Sequence, residues 1–196
     1  MQSRGIYVVA ALGLALTGCA PPWSIRLPAV AGSEVKRVQL TDQRASSERK
    51  FRFVDFAKLS YKSYLGDSNT TPNRIAYLSS RLNEQSSSVP DGATVVVHHF
   101  DILQDLSGSA CRGCALAAVS YSAAVAAEAG RKPGDDSFTC RISASINDVE
   151  VAADVSTFFR RGPLDSPDSE QAATALGKCM SGAVDAWLSK AVAKMH

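Results

Sequence analysis

Apolar and polar positions alternate most clearly from Ala93 to Leu103. In an extended chain Val96, His98, Phe100 and Ile102 point one way, and Val95, Val97, His99 and Asp101 the other. Apolar residues on both sides predict a strand in the middle of a sheet. Two further alternating runs, Phe138 to Ile146 and Val149 to Phe159, flank Asn147-Asp148. A two-residue turn there sets Ile146 against Val149, Ala144 against Val151, Ile142 against Ala153 and Cys140 against Val155, all on one face. Arg141 then meets Asp154 on the other face, and a slip of one residue would spoil both patterns. Upstream, Glu34 to Thr41 reads as a strand, Asp42 to Ser47 as a polar turn, and Lys50 to Phe56 as a half-buried strand with Phe51 and Phe53 on one face.

Two segments repeat at helical rather than strand spacing. After Thr71-Pro72, a hydroxyl cap followed by proline, Ile75, Leu78 and Leu82 form one stripe, and the pattern fades at Ser86-Ser87-Ser88. After Ser166-Pro167, the residues Ala172, Leu176, Met180, Ala183, Trp187 and Ala191 form a longer stripe, with Cys179 at its edge. Gln171, Lys178, Asp185 and Lys190 lie opposite. The order strand, strand, helix, strand, hairpin, helix predicts one α+β domain: a mixed, largely antiparallel sheet with helices on one face.

The N-terminus follows another logic. Arg4 precedes an apolar run from Ile6 to Leu16, too short for a bilayer span of about 20 residues but suited to a secretory signal. Leu16-Thr17-Gly18-Cys19 closes it and resembles the lipobox of bacterial lipoproteins. That resemblance implies cleavage before Cys19, a diacylglyceryl thioether on its sulfur and acylation of the freed amine. The chain then divides into a signal peptide (1–18), a lipidated cysteine with a flexible proline-rich tether (19–33) and a domain (34–196) with an alanine-rich insertion (108–134). An extended tether of that length would reach up to about 40 Å from the membrane. Ala20 is not the aspartate used for inner-membrane retention, so the expected address is the periplasmic face of the outer membrane.

Composition narrows the function. With 21 Lys and Arg against 19 Asp and Glu, the chain lacks the basic excess that nucleic acid requires. Cys111, Cys114, Cys140 and Cys179 form an even set, and the expected compartment oxidises thiols. They are all disulfide candidates, and four cysteines allow three pairings. Cys140 and Cys179 both border apolar stripes, which suits either a bond where helix meets sheet or two small buried thiols. Cys111-Arg112-Gly113-Cys114 stands before a helix-forming alanine run. It fits a structural disulfide, a thiol with lowered pKa for periplasmic exchange, or half of a metal site. His98 and His99 are neighbours on a strand and cannot share one ion, so no metal site is expected. His99 and Asp101 share a strand face suited to orienting an imidazole. There is no Gly-x-Ser-x-Gly elbow and no phosphate loop, so no catalytic residue is assigned.

The lipobox, the strand ending Thr41-Asp42-Gln43-Arg44, the helix around Arg74 to Leu82 and the closing hairpin and helix are similar to small outer-membrane lipoproteins of the YajG type. More distantly, they resemble auxiliary lipoproteins of envelope ABC transport systems. That resemblance implies a non-enzymatic accessory in envelope assembly or transport, with an envelope protein as partner and no cofactor beyond the lipid on Cys19. The alternatives are a periplasmic redox module built on Cys111 and Cys114, and binding of a lipid or small apolar ligand.

Overall fold

The computed structural model describes residues 24–28, 38–54, 62–85, 88–90, 92–106, 136–160 and 169–195. The expected signal peptide, Cys19, the Cys111–Cys114 pair, the expected 108–134 insertion and the expected Ser166-Pro167 cap lie outside these residues. The strands are β1 (Ile25–Arg26), β2 (Gln39–Asp42), β3 (Arg52–Phe53), β4 (Lys62–Tyr64), β5 (Thr70–Thr71), β6 (Thr94–Asp105), β7 (Asp136–Ile146) and β8 (Val149–Phe159). The helices are α1 (Arg74–Glu84) and α2 (Glu170–Met195). This is a small α+β domain, as the order of periodic segments predicts.

The three long strands carry the sheet, in the order β3-β4-β6-β7-β8. The β7–β8 register pairs Ile146 with Val149, Ala144 with Val151, Ile142 with Ala153, Cys140 with Val155 and Arg141 with Asp154, as expected. Its turn has Asn147 and Asp148 at φ 47° and 67°, the left-handed pair that matches the twist of a two-residue hairpin. Asn147 also ties the hairpin to β6: its N–H donates to the Thr94 carbonyl (2.9 Å) and its Oδ1 accepts the Thr94 N–H (3.0 Å).

β6 is central, with β7 along one edge. The other edge is shared: β2 runs parallel to Thr94–Val97, and β4 runs antiparallel to Leu103–Asp105. The expected faces of β6 need correction. A bulge between Val97 and His99 adds one residue to β6 against β7. Val95 and Val97 therefore share the buried face with Phe100, Ile102 and Gln104, rather than opposing them. An extra residue reverses the parity of everything beyond it.

α2 lies on that buried face with Ala172, Leu176, Cys179, Met180, Ala183, Trp187 and Ala191 all buried. The Trp187 indole N–H reaches the Ala144 carbonyl (3.0 Å), so its one polar atom is satisfied inside the core. Along the outer edge of β8, the last strand of the sheet among the described residues, the Lys190 and Lys194 ammonium groups cap the carbonyls of Ala152 and Glu150 at 3.3 and 3.2 Å. Charged caps of this kind blunt an edge strand.

α1 begins later than Thr71-Pro72 predicts. Its cap is Asn73, whose Oδ1 accepts the Ala76 N–H at 2.9 Å. Its buried residues are Arg74, Tyr77, Leu78 and Leu82, and Ile75 is only half-buried. Arg81 and Gln85 both reach Asp185 of α2, joining the helices. Phe51 and Phe53 touch edge to face (4.9 Å), yet β3 is exposed rather than half-buried as expected, with Phe53 half open to solvent.

Candidate functional site

Along the shared edge of β6, a gap separates the end of β2, opposite Val97, from the end of β4, opposite Leu103. Phe100 lies in that gap, so no strand satisfies its outward N–H and carbonyl, and buried backbone groups must find partners. Two charged side chains supply them. The Glu48 carboxylate accepts the Phe100 N–H at 2.6 Å, and the Arg74 guanidinium donates to the Phe100 carbonyl. Arg74 also donates to the Glu48 carbonyl at 2.7 Å and to Asp67 at 2.8 Å. Its side chain is wholly buried.

Around this plug the 42–50 segment folds back on itself. Arg44, also buried, is clasped by Asp42 (2.9 and 3.0 Å) and Asp67 (3.1 and 3.0 Å). Gly66 is required beside it, because a Cβ there would lie 2.6 Å from the Phe51 nitrogen. The electrostatics follow burial and partners. Burial disfavours the charged form of Arg44, but the hydrogen bonds it donates to Asp42 and Asp67 outweigh it, and its pKa is raised. Arg74 is lowered because its burial is deeper and Asp67 only partly offsets it. Burial would raise Asp42, but Arg44 holds it below the usual carboxylate range.

On the outer face of β6, His99 Nδ1 lies 3.1 Å from the second Glu48 oxygen, and Asp101 stands two residues further along. Burial and the neighbouring Glu48 charge raise the Asp101 pKa, with Arg52 at 3.9 Å opposing. The structure therefore places His99 and Asp101 on one face, as expected, and adds Glu48 from a distant segment. Donor atoms of Glu48, His99 and Asp101 lie within 4.8 Å of one another, so among the described residues these three could hold a metal ion. Weighing against a cation, Glu48 is already engaged by Phe100, and the Arg52 and Arg74 guanidinium groups stand beside the trio. His98 is the bulge residue and takes no part.

Of the cysteines, Cys140 and Cys179 are brought together as a disulfide, with Cα atoms 5.7 Å apart, joining β7 to α2. Sequence reasoning missed the Arg44, Glu48, Asp67 and Arg74 network. One signal was present: Arg74 stands one and two turns before Leu78 and Leu82, a charge inside an apolar stripe. No protein-family model matches the chain, and no curated protein or solved structure matches it.

Proposed function

We propose that this protein is a lipoprotein of the bacterial cell envelope. Cys19 carries the lipid, the α+β domain faces the periplasm from the outer membrane, and it acts as a non-enzymatic binding component in envelope assembly or transport. The observation that carries this reading is the opening of the chain, an apolar run from Ile6 to Leu16 closed by Leu16-Thr17-Gly18-Cys19. The Cys140–Cys179 bond is compatible with the oxidising compartment that this opening implies. The binding role is supported by where the charges go. Glu48 and Arg74 complete the backbone of β6, and Arg44, Asp42 and Asp67 hold the segment that delivers Glu48. These groups are committed to structure rather than converging on a reacting centre.

Metabolic labelling with an alkyne fatty acid tests the anchor. The wild-type protein should carry label and sediment with outer membranes, whereas Cys19→Ala should lose the label. Label retained by Cys19→Ala overturns the assignment. In-cell cross-linking of the wild-type protein should then capture an envelope protein, and a chain recovered uncross-linked from intact cells counts against the accessory role.

A further inference from the structure

Within the segment expected to be a tether, residues 24–28 are instead part of the fold. β1 pairs with β5, Ile25 opposite Thr70 and Arg26 opposite Thr71. The Leu27 N–H donates to the Thr71 carbonyl (2.9 Å), and the Ser24 and Thr71 hydroxyls meet at 2.9 Å. Ile25 and Leu27 are core residues, 0% and 7% exposed. Pro28 packs on α2, where a Cβ at Gly177 would stand 3.0 Å from its ring. The chain is thus fixed to the body at residues 24–28.

Ala20, Pro21, Pro22 and Trp23 alone separate Cys19 from that fixed point. Five Cα steps span at most about 18 Å. A domain of this size is roughly 40 Å across. A leash shorter than the domain it holds leaves little freedom to turn. We propose, on the reading that Cys19 is lipidated, that the domain rides directly on the phospholipid surface. The Ser24 pole, formed by Arg26 and the segment Thr71–Asn73, is turned toward the headgroups.

The chemistry of that pole is compatible with the contact. Arg26, Thr71 and Asn73 are exposed and offer one cation and polar groups to phosphates. α1 and α2 run the same way from there: Tyr77 meets Gly177, Arg81 meets Asp185, and Lys194 reaches Glu150 beside the hairpin. The Asn147-Asp148 hairpin and the end of α2 therefore point away from α1's start and stay available to a periplasmic partner.

The test uses the full-length protein purified from membranes and reconstituted in phosphatidylethanolamine–phosphatidylglycerol vesicles containing a headgroup-diazirine phospholipid. After irradiation, cross-links are mapped by mass spectrometry, and intact mass reports the lipid on Cys19. Peptides bearing Arg26 and Thr71–Asn73 should be labelled, and those bearing Asn147-Asp148 should not. Inserting twenty Gly/Ser residues between Trp23 and Ser24 lengthens the leash fivefold. Labelling at Thr71–Asn73 should then fall roughly tenfold, following the −3/2 power of leash length. A lipidated protein labelled evenly over its surface, or unchanged by the insertion, overturns the proposal while the anchoring reading stands. A protein without lipid on Cys19 overturns both.

Discussion

Phe100 shows how a single backbone unit can dictate a charged cluster. Its N–H and carbonyl lie in the gap between β2 and β4, and Glu48 and Arg74 take the place of a strand. Glu48→Ala orphans a buried N–H and should cost about 1–3 kcal/mol in urea denaturation. Glu48→Gln keeps an acceptor oxygen and should lose much less. Equal losses in both variants would show that the Glu48 charge, rather than its hydrogen bond, holds the edge together. Asp101 is the residue to probe by pH. Its folded pKa is raised above the ordinary 3.8 by burial and by Glu48, so the folded state prefers it protonated. Stability linked to Asp101 is full below the unfolded pKa and is lost as pH rises through the folded one. Asp101→Asn should therefore raise Tm at neutral pH, and the gain should vanish below about pH 3. Asp42, lowered by Arg44 against its burial, acts with the opposite sign and weakens the native state as pH falls.

At the scale of elements, the decisive link is between α2 and β7. The disulfide closes a loop across 39 positions, which the chain-entropy model values at about 4 kcal/mol. Cys140→Ser with Cys179→Ser should lower stability by roughly that amount, and a reductant should do the same to the wild-type protein but not to the double variant. A reductant effect of equal size in the variant would point to Cys111 and Cys114 instead. The hairpin and α2 were legible in the sequence because their determinants are local. A two-residue turn sets every pair of β7 and β8 through a period of two, and a stripe at helical spacing sets the face of α2. β6 was only half legible. Its strand character was plain, but the bulge before His99 answers to its pairing with β7, which no alternation within β6 can report.

At the scale of the whole molecule, residues 24–28 change from expected spacer to part of the fold. Ile25 lies in β1, beside a stretch of prolines that reads as linker, yet it is completely buried. Ile25→Ala should therefore cost about 2–5 kcal/mol, the range for emptying a packed core position, measured by urea denaturation of the protein without residues 1–18 and with Cys19 replaced by serine. A loss within about 0.5 kcal/mol, as for an exposed position, would show that β1 does not dock in solution. None of the described helices is long and apolar enough to cross a membrane.

The sequence by itself determined what depends on neighbours along the chain: the α+β order of elements, the β7–β8 register and the buried stripe of α2. Only the tertiary structure decided what depends on partners far apart. Glu48 meets Phe100 across 52 positions, and Ile25 finds Thr70 with β2, β3 and β4 between them in the chain. Cys140 was joined to Cys179 although four cysteines allowed three pairings. Local periodicity carries no information about which distant group will satisfy a buried N–H, cover an apolar side chain or complete a bond. Those choices are made by packing, when the sheet edge, the helix and the N-terminal strand must share one core.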